Sequence, residues 1–207
     1  MDTIVNSENI FNLHTLIEIL LGISLSAAAG FRVFVPLLVL SATAVLGHFN
    51  LPTDFDWVET PQALVMFAIA CSLEIGGYYI PWFDHVLDTV ATPAALVVGT
   101  FMAASVTPDL NPLAQWTLAL VAGGGTAGLT KGLMNILRTT STATSGGLTN
   151  PILSTVELAI ATVLSLLAIT LPLFAGLLVF GILIFATYRI WRFLSNLRSK
   201  LDRTAST

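Results

Sequence analysis

Ser24–Pro36 reads SLSAAAGFRVFVP. Small residues run into an arginine, with a proline four positions on, inside an apolar segment. A charged side chain at the centre of a membrane helix costs about 2.5–3.5 kcal/mol on insertion scales. Arg32 therefore needs a partner within the protein. The serines, alanines and glycine before it cover both faces of a helix and let two neighbours approach closely. The stretch predicts a tightly packed transmembrane helix with Arg32 turned inward, toward Glu74 or Glu157.

The rest of the chain agrees with a membrane setting. Of 207 residues, 55% are hydrophobic and only 10% are charged, and mean hydropathy is +0.86. A soluble domain carries about 25% charged residues. The charges are also displaced: Asp54, Asp56, Glu59 and Asp109 fall in short polar gaps, and Arg189, Arg192, Arg198, Lys200 and Arg203 crowd the C-terminal end. Between them lie apolar segments close to the ~20 residues that cross a bilayer as helix. The first thirteen residues have no basic n-region, so a cleaved secretory signal is not expected. Cys71 lies alone in an apolar segment and reads as a small core residue.

The fold class expected is all-α: a polytopic transmembrane bundle of about six spans. They fall near 16–46, 63–80, 86–106, 113–137, 152–169 and 173–193. A polar segment, 1–15, precedes the membrane domain, 16–193, and a basic tail, 194–207, follows it. The stretches Gly47–Pro61 and Thr107–Pro112 contain no Lys or Arg, whereas Arg138 and the C-terminal cluster fall on the other side. The positive-inside rule then places both termini in the cytoplasm. Trp57, Trp116 and Trp191 fall near span ends, as interfacial aromatics do.

Two spans are unusual. The first is about 31 residues, roughly 46 Å as helix, and must tilt, project or break near AAAGF. The fourth contains AGGGTAG, Ala122–Gly128. Each glycine weakens a helix by about 1 kcal/mol relative to alanine, so an unwound segment is expected there. Small residues, Ala-Gly and a base also occur in both: SAAAGFR ends at Arg32 and GGTAGLTK at Lys131. The second and fifth spans each hold a glutamate, and the third and sixth a proline, Pro93 and Pro172. Three helices per unit make this a three-plus-three inverted-topology repeat, 16–106 and 113–193, a construction frequent in transporters. The match is imperfect, because the base follows the glycine at two positions in one copy and three in the other.

Arg32, Glu74, Lys131 and Glu157 sum to zero formal charge within the predicted spans. Glu74, Glu157 and Lys131 fall at similar depth, roughly 8–10 Å from the cytoplasmic ends. Such a layer reads either as a salt-bridge network that fixes helix register or as a site for an anionic head group, ion or proton. Asp84 and Asp88, four apart, share a helix face beside His85. They read as a solvated helix start near the positive dipole end, or as ligands of a divalent cation with no diagnostic spacing. His14 and His48 read as interfacial. After Arg138, the run TTSTATSGGLTNP predicts a polar loop, with Asn150 as N-cap and Pro151 at the first helical position. Its hydroxyls and the helix N-terminus could hold a phosphate.

GGGTAG, Gly123–Gly128, matches a dinucleotide fingerprint in letters only, since no strand precedes it and no acid follows about twenty residues on. GLTKG is not a phosphate-binding loop, because Lys131 does not directly follow the glycine. No catalytic constellation, resident metal site, recognisable cofactor motif or nucleic-acid-binding signature is present in the sequence.

The runs GISLSAAAGFRVFVPLL, LEIGGYYIPWFDHVLDTV and TSGGLTNPILSTVELAIATVLSLLAITLP together resemble the domain of unknown function 4126 family of bacterial membrane proteins. The resemblance covers about Leu20–Arg192, and its most specific part is Gly146–Glu157. It implies special positions at Arg32, Glu74, Pro81, Asp84, Asp88, Asn150 and Glu157. It also implies acidic residues where this chain has Tyr78 and Leu158, which argues against a strongly acidic ion site. The resemblance supplies no activity. Three functions are expected from the residues, the least favoured being a membrane enzyme acting on a lipid phosphate through Asp84, His85 and Asp88. One is a transporter-like protein for a small molecule, ion or lipid, with Arg32 and Lys131 binding an anionic group and Glu74 and Glu157 balancing charge or exchanging protons. The second is a structural or assembly subunit of a membrane complex, using the stripes Gly22-Ser26-Gly30 and Ser24-Ala28-Arg32 for helix packing; a lone homo-oligomer would count against it.

Overall fold

A computed structural model of the chain describes residues 13–48, 51–80, 83–107 and 110–205, without the side chains of residues 84, 85, 190 and 193–205. The described residues are helical and contain no strand. The helices are α1 (Leu13–Phe31), α2 (Phe34–Val45), α3 (Pro61–Gly77), α4 (Phe83–Ser105), α5 (Pro112–Leu118), α6 (Gly125–Ser145), α7 (Asn150–Thr170) and α8 (Pro172–Ala205). A 3-10 turn, Thr53–Glu59, precedes α3, and a π-helical segment, Ala119–Gly124, joins α5 to α6.

Among the described residues, four helical stretches are each long and apolar enough to cross a membrane: Leu13–Phe31, Val86–Ser105, Asn150–Thr170 and Pro172–Arg189. A fifth arises when Thr53–Glu59 and Pro61–Gly77, bent by 65°, act as one span. This is a multi-pass membrane protein. The stretch 113–137 is not among these spans, because it is divided between α5, the π segment and α6. Most of the expected residues 1–15 lie outside the described residues. The basic C-terminal run continues helix α8 to Ala205.

The first long span breaks immediately after AAAGF, at Arg32 and Val33. Pro36 explains the position. It has no N–H, and its ring clashes with the carbonyl four residues back, which belongs to Arg32. The fourth span behaves differently from expectation. Its glycine run does not unwind but widens into π turns and resumes as α-helix at Gly125. Packing accounts for this, because the bare backbone lies directly on α4. A Cβ on Gly123 would sit 2.5 Å from the Gly99 carbonyl oxygen, and one on Gly99 would sit 2.4 Å from Ala127 Cβ.

Helix α1 runs through the middle of the bundle, against α4, α6, α7 and α8. Leu25, Ala28 and Ala29 are fully buried, as are Ser24 and Ser26. Ser26 Oγ lies 2.7 Å from Gly22 O and 2.6 Å from Gly99 O, so one hydroxyl serves its own helix and α4. Gly22 abuts Ala103, and Gly30 abuts Thr130 and Ala127. The stripe Gly22-Ser26-Gly30 thus packs within the chain. Cys71 is buried with Val35 and Ala161.

The close contact of Gly99 and Gly123 makes a testable pair of substitutions. Gly123→Ala should destabilise the protein by about 1–3 kcal/mol through overpacking. Gly125→Ala, where a Cβ meets nothing within 4 Å, should be neutral or stabilising by up to about 1 kcal/mol. Thermal melting in detergent micelles compares the two, and equal midpoints would contradict the close approach.

Candidate functional site

The break after α1 places Arg32 against the end of α3 and the first turns of α7. The carboxylate of Glu74, on α3, sits at the start of α2. Val33 N–H donates to Glu74 Oε1 at 2.9 Å and Phe34 N–H to Oε2 at 3.1 Å. The first N–H groups of a helix have no partner within the helix, and inside a membrane no bulk water supplies one. Glu74 supplies it here, from a different helix.

Tyr78, just past α3, is the hub of the remaining charges. The Arg32 guanidinium lies 3.9 Å from its ring centroid, that of Arg138 4.7 Å and Lys131 Nζ 5.7 Å. Cation–ring contacts reach about 2 kcal/mol when desolvated. The phenol donates to Asp88 Oδ1 at 3.0 Å and accepts from Lys131 Nζ at 3.3 Å. Asp88 Oδ1 also takes Lys131 Nζ at 3.0 Å, and its Oδ2 takes Arg138 Nε at 3.1 Å.

Helix α7 closes the network. Glu157 Oε2 pairs with Arg138 Nη2 and lies 4.0 Å from Arg32 Nη2. One turn earlier, the Ser154 carbonyl accepts from Arg32 Nη2 at 2.8 Å, and its hydroxyl lies 3.3 Å from Arg138 Nη1. Arg32, Lys131 and Glu157 are each 1% exposed and Arg138 3%. Three cations therefore share two carboxylates, Asp88 and Glu157, while Glu74 serves backbone N–H groups. Arg32 Nε and Nη1 and Glu157 Oε1 are buried without a hydrogen-bond partner.

An open cavity of about 520 Å³ between α4 and α6 leads to this cluster. Thr89, Thr92, Asn135, Thr139 and Thr142 line it, and it reaches Asp88 and Arg138. Asp88 and Arg138 line the cavity, whereas Arg32 and Lys131 are not among its lining residues.

The structure thus brings together Arg32, Glu74, Lys131, Glu157 and Asp88. Asn150 is placed apart. It is buried at the α6–α7 turn, with its Oδ1 3.2 Å from Ser141 Oγ and its Nδ2 donating to Thr142 Oγ1 at 3.2 Å. Nor is Asn150 the N-cap, because Thr149 precedes the helix and makes no side-chain cap bond. The expected loop 139–151 is also mostly helix. α6 runs to Ser145 and ends at left-handed Gly146, φ 63°. Helix continuation directs the hydroxyls of Thr139, Thr140 and Ser145 to carbonyls one turn back rather than to an anion. Pro81 and the side chains of Asp84 and His85 lie outside the described residues. Among the described residues no cluster of three His, Cys, Asp or Glu side chains could hold a metal ion.

Three participants were not expected at the site: Tyr78, Arg138 and Ser154. Arg138 reads as a loop residue when the fourth span is stopped at 137. Its spacing of seven from Lys131 puts it on the same helical face and is the signal that identifies it. Its burial removes one of the two basic groups behind the expected orientation.

A family model described as Domain of unknown function (DUF4126) matches residues 19–192. The chain belongs to the DUF4126 family. No curated protein and no solved structure gives a significant match. The family description carries no activity, so the chemistry of this DUF4126 protein rests on its own site. Where the resemblance implies an acid, Tyr78 instead offers a ring to three cations and a phenol to Asp88.

Proposed function

We propose that this DUF4126 protein carries a small anionic solute across the cytoplasmic membrane, crossing it about six times with both termini inside. One observation carries the reading: an open cavity lined by threonines and Asn135 ends on the Asp88–Arg138 pair, part of a cluster in which three cations share two carboxylates. An anion entering there can replace Asp88 on Lys131 and Arg138 and meet the unpartnered Nε and Nη1 of Arg32. Carboxylates and phosphates suit such donors, because charge-assisted bonds are the strong ones. The three-plus-three inverted repeat belongs to the same proposal. In it, the break at Arg32–Val33 corresponds to the π segment before Lys131, and both bases meet at Tyr78.

The test is anion uptake by liposomes containing purified protein, with chloride, inorganic phosphate and acetate as probes. Uptake above that of empty liposomes is expected for at least one, falling about 10- to 100-fold in Arg32→Ala. That range corresponds to a charge-assisted hydrogen bond of about 1.5–3 kcal/mol. Arg32→Lys keeps the charge but not the planar fork and should lie between. No uptake or binding sensitive to either change would overturn the proposal. Stoichiometric crosslinking to another protein, without any anion flux, would favour the assembly-subunit alternative. The stripe Gly22-Ser26-Gly30 does not itself favour that alternative, since it packs inside the chain.

A further inference from the structure

On the other side of α6 from the threonine-lined cavity lies an apolar cleft of about 730 Å³, walled by α6, α7 and α8. Its floor is α1, at Ala27 and Phe31. The outer helices leave a slot down to the central one, because α6 barely touches α8. Leu137, Ile160 and Ile182 typify the walls; the polar exceptions are Thr130 and Arg189.

We infer that this cleft is a binding site for one anionic phospholipid, with an acyl chain between α6, α7 and α8 and the phosphate at Arg189. Length supports this occupant. From Leu178 to Arg189 the α8 lining spans roughly 16 Å at 1.5 Å per residue. One leaflet supplies about 15 Å, half of a ~30 Å hydrocarbon core. A chain that fills the slot therefore delivers its head group to the level of Arg189.

Charge supports it as well. Arg189 is exposed, and its guanidinium carbon lies 6.0 Å from the centroid of the Phe185 ring. It opens the basic run Arg189, Arg192, Arg198, Lys200 and Arg203 on one continuous helix. A zwitterionic head group fits the slot equally well but complements this run less. The site is distinct from the proposed solute site, and neither depends on the other.

Native mass spectrometry of the full chain in detergent tests the inference. Palmitoyl-oleoyl phosphatidylglycerol and the phosphatidylcholine with the same chains are added in competition. One retained lipid per chain is expected, with phosphatidylglycerol preferred about fivefold, the effect of one basic residue near a head group. Arg189→Gln should abolish the preference and Arg189→Lys should keep it. Ala186→Trp should fill the slot and lose the retained lipid, with helix content by circular dichroism unchanged. Glycerol phosphate alone should not compete, since the chain supplies most of the binding. Equal retention of both lipids, a preference unaffected by Arg189→Gln, or a lipid-free dimer with the slot closed by a second copy would each overturn the inference. Should Ala186→Trp fail to fold, the Arg189 pair decides by itself.

Discussion

Glu157→Leu should destabilise the protein by about 3–5 kcal/mol, the range for removing one member of a buried ion pair. Neutral hydrogen bonds between membrane helices average only about 0.6 kcal/mol, because the unfolded state in the membrane also finds partners. The larger value applies here for a specific reason. Glu157 Oε2 is the carboxylate oxygen that pairs with Arg138 and lies nearest Arg32. Without it two guanidiniums share one tyrosine ring with only Ser154 between them on α7. Reversible unfolding by dodecyl sulfate in mixed micelles measures the loss. Arg138 keeps Asp88 in the Glu157→Leu variant, so the stranded charge is Arg32. Arg32→Met combined with Glu157→Leu should therefore recover at least about 1–2 kcal/mol of the loss. A loss below about 1 kcal/mol in the single variant would mean that water reaches Arg138 and Arg32 and solvates them.

The same network shows what a sequence can and cannot disclose. Arg32, Lys131 and Glu157 announce themselves because a charge in an apolar run must find a partner, and the structure places all three in one cluster. The break after Phe31 is legible from Pro36 and the excess length of the span. Arg138 is legible too, but only once α6 is read past residue 137, which a run of hydroxyl residues discourages. Tyr78 is not, since an aromatic residue at a span end reads as interfacial. The glycine run is ambiguous in isolation: intrinsic propensity favours unwinding, and only the facing Gly99 on α4 turns bare backbone into a packing surface. The pairing of Arg32 with α7 rather than with Glu74 is likewise a tertiary fact. Backbone N–H groups compete for a carboxylate as well as cations do, and they leave no trace in the residue types.

That competition makes Glu74 the second site of large effect. Its two oxygens hold Val33 N–H and Phe34 N–H, the first donors of α2, at 2.9 and 3.1 Å. Hydrogen bonds to a charged group contribute about 1.5–3 kcal/mol each, so Glu74→Ala should cost about 3–6 kcal/mol. Glu74→Gln should cost less. Its amide oxygen can keep one N–H, but its NH2 meets the other donor with nothing to accept. Hydrogen exchange separates this role from that of a proton carrier. If Glu74 caps α2, the amides of Val33 and Phe34 exchange faster in Glu74→Gln and faster still in Glu74→Ala, while amides in the middle of α7 do not change. Unaltered exchange at both positions would mean that the carboxylate does not hold the break. A cap must keep its oxygens on those two N–H groups to do its work, which suits Glu74 poorly to exchanging partners. Asp88, by contrast, is the carboxylate that lines the open cavity. Glu74 instead fixes the start of α2 and, one residue back along the chain, the position from which Arg32 reaches Tyr78 and Ser154.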